Sequence, residues 1–264
     1  MKKYKLGVLG IGNMGGSILK GIINASIYNK EEILIFDIDK LKLNKFSDIL
    51  VAKDEKELIE NVDVLILAIK PQMLNVLKNI EFQNKDLLLV SIVAGKTVSD
   101  LQAIFGDVKV IRVMPNTPAL INEGSTAISK TLNVGDLEFS EVKKIFSLLG
   151  VVEEIPDNLM NEVIPVNGSM PAFLYYFAKC FIEKAVKNGI DYDTAKSLCV
   201  QGIIGSAKMI SETDKSIDEL IKDVCSPKGA TLEGLKVFDR SNLQDIIEET
   251  SDATIKRAYE LSNI

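Results

Sequence analysis

The chain has no histidine among its 264 residues. Histidine is the usual general base near neutral pH and the commonest transition-metal ligand. Its absence excludes serine–histidine and cysteine–histidine mechanisms and leaves the chemistry mainly to a cofactor. Cysteine is scarce as well. Cys180, Cys199 and Cys225 are odd in number and far apart, without the close C-x-x-C pairing of zinc or redox sites, and they read as buried or inert thiols. Nor is there a basic surplus: the formal net charge of −6 offers nothing to neutralise phosphates, which argues against nucleic acid as a partner. Long apolar runs are missing. The strongest, at residues 62–69 and 87–94, reach less than half of the roughly 20 residues a membrane-spanning helix needs, and they read as buried strands. The opening Met1-Lys2-Lys3-Tyr4-Lys5-Leu6 leads straight into a strand and lacks the apolar stretch of a secretory signal, so a cytoplasmic location with no membrane partner is expected.

What is present is an alternating pattern. Short β-branched or leucine-rich runs at residues 6–9, 33–36, 64–68, 88–93 and 109–112 are separated by helical stretches at 16–27, 39–50 and 72–80, and Thr97 with Asp100 forms a capping box that opens another helix. Such alternation predicts an α/β fold, a doubly wound parallel sheet with helices on both faces. Strand signals end with residues 150–157, and the remainder is helical in period, at 171–188, 192–212, 217–224 and 243–261. The expected division is therefore an α/β domain at residues 1–160 and an all-helical domain at 161–264. Residues 172–182 are apolar on nearly every side, so other helices or a second copy must bury them. A homodimer or a larger homo-oligomer is expected.

Directly after the first strand stands Gly10-Ile11-Gly12-Asn13-Met14-Gly15, the G-x-G-x-x-G turn that lets a dinucleotide pyrophosphate approach backbone N–H groups at a helix N-terminus. The second strand ends at Asp37, about twenty residues on, which is the context a Rossmann-type dinucleotide-binding domain requires. A carboxylate there accepts hydrogen bonds from ribose hydroxyls and repels a 2′-phosphate, so NADH is expected over NADPH, with Lys40 and Lys42 offsetting the preference in part. The alternative is that Asp37 caps the next helix. Ala68-Ile69-Lys70-Pro71 and Ala94-Gly95 close the following strands, where ligands of open α/β sheets bind. Arg112-Val113-Met114-Pro115-Asn116-Thr117-Pro118-Ala119 places two prolines around an amide, a stiff loop suited to face the nicotinamide.

Taken in order, GxGNMG, AIKPQ, SIVAG, RVMPNTPA, NGSMPAF, GSAKM and VCSPKGATL resemble the pyrroline-5-carboxylate reductase family over about residues 6–255. The resemblance implies an N-terminal nucleotide-binding domain, an all-α C-terminal dimerisation domain, and reduction of a cyclic imine carboxylate by NADH or NADPH. It places substrate contacts at Met114 and Asn116 and on Ser226-Pro227-Lys228-Gly229-Ala230-Thr231, where Ser226, Gly229, Ala230 and Thr231 would hold the carboxylate at the start of a helix. Thr231 is the candidate catalytic hydroxyl, with helix capping as its alternative role. Two departures stand out. Lys228 replaces a glycine expected to need positive φ, and Asn167-Gly168-Ser169-Met170-Pro171-Ala172-Phe173 replaces a pattern usually read as S-G-S-G-P-A-Y. A β-hydroxyacid dehydrogenase of similar plan would need a lysine soon after Gly168-Ser169, but the first lysine here is Lys179.

Overall fold

The computed structural model describes residues 4–262. The expectation that Met1, Lys2 and Lys3 lead directly into a strand lies outside the described residues. The chain divides into two compact units, Met1–Pro171 with Thr254–Ile264, and Ala172–Ala253.

The first unit is built on an eight-stranded sheet: β1 Tyr4–Leu9, β2 Ile33–Phe36, β3 Leu50–Val51, β4 Val62–Leu67, β5 Leu88–Ser91, β6 Lys109–Pro115, β7 Gly124–Lys130 and β8 Gly150–Glu154, in the order β3-β2-β1-β4-β5-β6-β7-β8. Between the strands lie α1 Asn13–Asn24, α2 Lys40–Leu43, α3 Glu55–Glu60, α4 Leu74–Leu77, α5 Val98–Phe105 and α6 Asp136–Ser147. The expected capping box forms at the head of α5, where Thr97 Oγ1 accepts from the Asp100 N–H and Asp100 accepts from the Thr97 N–H.

The strands β1 to β6 are parallel, as the alternating pattern predicts, but β7 pairs with β6 antiparallel. The reason is the connection. Residues 116–123 carry one short 3-10 turn at Thr117–Ile121 and no crossover helix, and a parallel return needs a dozen residues or more. Because β8 runs parallel to β7, both are opposed to the rest of the sheet.

Alternate residues of the strands feed two separate cores. Ile33 and Ile35 join α1 and α6 through Ile18, Leu19, Ile22, Val142 and Phe146 on one face, whereas Leu34 joins Leu58, Leu74 and Leu101 of α3, α4 and α5 on the other. Each fully buried Leu or Ile contributes about 1.5–3 kcal/mol, so the period-2 alternation fixes which face every helix covers.

The second unit is helical, taking in α7 Met170–Lys187 from Ala172 on, α8 Tyr192–Glu212, α9 Ile217–Val224, α10 Ala230–Arg240, and α11 Leu243–Ser262 as far as Ala253. On α7, Leu174, Tyr175, Tyr176, Phe177 and Phe181 are exposed, so the chain's own helices do not provide the burial that its apolar sequence calls for. Phe177 keeps ring contacts with Phe181 at 4.9 Å and Phe238 at 6.5 Å. Cys180 is exposed on the same helix and Cys199 and Cys225 are half-buried, so burial does not account for these thiols, which were expected to be buried or inert. No helix of the described residues is long and apolar enough to cross a membrane.

Candidate active site

At the carboxyl end of β1 the chain turns sharply. Gly10 has φ +97°, and a Cβ there would lie 2.5 Å from the Ala68 carbonyl oxygen. A Cβ on Gly15 would come within 2.1 Å of the Gly10 oxygen, so the turn can close only on glycine. Gly12 differs: it is the N-cap of α1, no side chain caps it, and a Cβ would meet nothing within 4 Å. The space beside Gly12 is thus open to a ligand. The first N–H groups of α1 are free of side-chain caps, and the helix dipole favours negative charge at that end.

Asp37 is tied into this turn. Its Oδ2 accepts from the backbone N–H of Ile11 at 2.7 Å and its Oδ1 accepts from the Asp39 N–H at 2.8 Å, while Lys42 Nζ stands 3.3 Å from Oδ1. The residue is only 7 % exposed. Capping of α2 belongs to Asp39, whose carboxylate accepts from Leu41 N–H, so the alternative reading of Asp37 as a helix cap is corrected.

Ala68 and Ile69 press against Gly10, where the strand order reverses between β1 and β4, and exposed Lys70 precedes Pro71 at the start of a 3-10 turn. Ala94 is exposed and Gly95 takes φ +68° just past β5. Beside them lies a cavity of about 200 Å³ lined by Met14, residues 91–95, residues 112–115 and Met160. The structure therefore brings Met14, Ala94, Gly95 and Met114 to one cavity outside the carboxyl ends of β1, β5 and β6. Asn116 is not among its lining residues; its amide is bound to the start of β7, donating to Ser125 Oγ at 2.9 Å and accepting from the Ser125 N–H at 3.0 Å.

Arg112 heads the segment expected to face the nicotinamide, but it stands in β6 and not in a loop, and its part as a wall of the cavity was not singled out in the sequence. Its guanidinium is buried and donates to Asp157 Oδ1 at 2.8 Å, which also accepts from Ser129 Oγ at 2.8 Å. An arginine inside the apolar run V-I-R-V-M of β6 was the available signal. Met160 was missed because it reaches the cavity from beyond β8, and no local pattern announces that.

The segment Ser226-Pro227-Lys228-Gly229 lies in the helical unit and leads into α10. Lys228 has φ +61°, as expected of a position the family pattern gives to glycine. The N-cap is Gly229, not Thr231, and it has no side-chain cap, so the leading N–H groups of α10 are open. Thr231 lines a cavity of about 720 Å³ with Gly202, Met209, Leu220, Val224 and Leu235. Lys179 is exposed on α7 and pairs with Glu183 at 3.6 Å. No cluster of metal-ligating side chains occurs among the described residues.

A Rossmann-type sheet with an open glycine turn at its switch point, followed by a helical unit, defines a dinucleotide-dependent oxidoreductase. Comparison with known proteins narrows this. A profile for pyrroline-5-carboxylate reductase dimerisation matches residues 157–261, and one described as coenzyme F420-dependent NADP oxidoreductase matches residues 5–95. The chain is 34% identical to the pyrroline-5-carboxylate reductase of Escherichia coli over 264 residues, covering 98% of each chain. It is also 34% identical to that of Synechocystis, with 97% of this chain and 98% of the relative covered. Among solved structures, the NADP-bound Plasmodium falciparum pyrroline carboxylate reductase superposes with a TM-score of 0.87 at 30% identity, covering 99% of both chains. The chain belongs to the pyrroline-5-carboxylate reductase family.

Proposed function

We propose that this protein reduces 1-pyrroline-5-carboxylate to L-proline with NADH or NADPH, in the cytoplasm, as a homodimer or an assembly of dimers. The observation that carries the reading is the open N-terminus of α1 beside a cavity outside β1, β5 and β6, in a chain alike over nearly its full length to reductases of this name. Residues 1–160 serve the dinucleotide, and residues 161–264 serve substrate binding and dimerisation. The exposed aromatic face of α7 is the surface a second copy would cover.

The glycine cradle fits the cofactor. The N–H groups beside Gly12, Asn13 and Met14 would hold the pyrophosphate, with Gly10, Ile11 and Gly15 shaping the turn; Ala68, Ile69, Lys70 and Pro71 would border the dinucleotide, and Ala94 and Gly95 its nicotinamide end. When bound, the reduced nicotinamide supplies the hydride. The protein's part is to hold the substrate carboxylate and to align the imine carbon. Ala230 and Thr231 hold the carboxylate through the open N–H groups of α10 and the Thr231 hydroxyl, while Ser226 and Gly229 shape the turn before the helix, the Gly229 N–H being given to the Ser226 carbonyl at 2.9 Å. Met114 shapes the wall of the cavity from the end of β6, and Asn116 fixes the turn that follows the strand. An iminium accepts hydride far better than a neutral imine, so the substrate reacts protonated. Without histidine, the proton arrives with the substrate or through the Thr231 hydroxyl.

Asp37 supports a preference for NADH, and its pairing with Lys42 reduces the repulsion that a bare carboxylate would exert on a 2′-phosphate. The test is the initial rate of oxidation of NADH and of NADPH with 1-pyrroline-5-carboxylate. Turnover supports the reading; tight cofactor binding without turnover of any cyclic imine overturns it.

A further inference from the structure

The ladder between β6 and β7 ends in a closed polar cluster. Asn116 N–H donates to the Ser125 carbonyl at 3.2 Å, but the return bond from Ser125 N–H goes to Asn116 Oδ1 at 3.0 Å. The side chain replaces the backbone carbonyl, which is taken by the Ala119 N–H at 3.2 Å as the chain turns away into its 3-10 turn. The Asn116 Nδ2 group donates to Ser125 Oγ at 2.9 Å and to the Asn167 carbonyl at 3.4 Å. Ser125 Oγ donates to Asn167 Oδ1 at 2.6 Å, and Asn167 Nδ2 donates to the carbonyl of Met114 at 2.7 Å. Asn116 is 8 % exposed and Asn167 4 %.

One orientation of the Asn167 amide satisfies this arrangement. Flipped, its oxygen would face the Met114 carbonyl, with no proton between them. The bond therefore orients the peptide between Met114 and Pro115, two residues that line the cavity beside Ala94 and Gly95. Asn167 stands where the family pattern has a serine. A hydroxyl offers one oxygen in place of the two ends of an amide that here bridge Ser125 and Met114.

We propose that Asn167 is a positioning residue for imine reduction, holding the Met114–Pro115 wall in register through its bond to the Met114 carbonyl. The proposal rests on the cavity being where the imine is reduced, as argued above. It predicts a loss in kcat, because a misplaced wall spoils the alignment of the reacting carbons more than it weakens binding.

The test compares the wild type with Asn167→Asp, Asn167→Ser and Asn167→Ala, measuring kcat, the KM of each substrate and the thermal midpoint. Asn167→Asp keeps the shape but loses the donor to Met114 and sets a carboxylate against a carbonyl. It should lower kcat by about tenfold or more, with the KM for the cofactor within about twofold of the wild type. Asn167→Ser should recover part of the loss through its hydroxyl, and Asn167→Ala should not. Equal kcat in folded Asn167→Asp and the wild type overturns the proposal, as does a loss that follows the thermal midpoint across all three variants. If Asn167→Asp does not fold, Asn167→Ser against Asn167→Ala decides the same point. A wild type without turnover refutes the functional reading instead.

Discussion

The carboxylate of Asp37 accepts the backbone N–H of Ile11 at 2.7 Å across 26 residues of chain, and so holds the glycine turn from the neighbouring strand. A charge-assisted bond of this kind contributes about 1.5–3 kcal/mol. Asp37→Ala should therefore loosen the turn, lower the thermal midpoint, and raise the KM for NADH and NADPH alike. Lys42 acts on the difference between the two. It stands 3.3 Å from the carboxylate, and Lys42→Ala leaves that charge uncompensated toward a 2′-phosphate. The ratio of kcat/KM for NADH over NADPH should rise by roughly fivefold, corresponding to about 1 kcal/mol of screened repulsion. An unchanged ratio would remove Lys42 from cofactor choice.

Gly12 and Gly15 sit in the same motif but should fail differently. A methyl group on Gly15 meets the Gly10 oxygen at 2.1 Å, so Gly15→Ala should destabilise the whole unit. A methyl group on Gly12 meets nothing within 4 Å, so Gly12→Ala should keep the thermal midpoint of the wild type. It should nonetheless weaken cofactor binding by about tenfold or more, since the methyl fills the approach of the pyrophosphate. Calorimetry with and without NADH separates the two effects. A Gly12→Ala variant that binds cofactor normally would show that the pyrophosphate passes elsewhere.

The first sheet strands were legible because buried parallel strands are apolar throughout; residues 33–36 read as a strand and are β2. β7 was hidden for the opposite reason. Its sequence G-S-T-A-I-S-K buries Thr126 and Ser129, so the apolar signal that marks a strand is absent from it. The expected helix at 39–50 is cut to α2, a 3-10 turn and β3, because no crossover longer than that is needed to reach the sheet edge. At the site, the glycine turn is a local pattern and can be read directly. The bonds from Asp37 to Ile11 and from Asn167 to Met114 join residues 26 and 53 positions apart, and spacing alone does not reveal such pairs. The positive φ of Lys228 was legible only through the family pattern, where glycine occupies that place.

Thr231 and Lys228 can be told apart by kinetics. Thr231 does not cap α10, so Thr231→Ala should leave the thermal midpoint nearly unchanged. A rise in the KM for the imine with kcat intact would make the hydroxyl a carboxylate ligand; a fall in kcat would make it part of the proton path. Lys228→Gly relieves a left-handed backbone worth about 1 kcal/mol but adds a similar entropy cost to the unfolded chain, so stability should hardly move. A raised KM for the imine in that variant would then report the lost ammonium alone.

Tyr28 makes the stability of the first unit sensitive to alkali. Its ring is buried, and its hydroxyl donates to Glu141 Oε1 at 2.7 Å. Burial first, then the bond to Glu141 and the surrounding carboxylates, push its pKa well above the ordinary value of 10.0. The folded state therefore keeps the phenol neutral at a pH where the unfolded chain ionises it. The stabilisation is complete below about pH 10 and is lost as pH rises above that value, since the unfolded state alone releases the proton. Tyr28→Phe should cost about 1 kcal/mol near neutral pH through loss of the hydrogen bond, while Glu141 is exposed and regains water. Urea unfolding of the two proteins from about pH 8 to 11 should show the wild type falling toward the variant at the alkaline end. Parallel curves throughout would mean that the buried phenol ionises as readily as an exposed one.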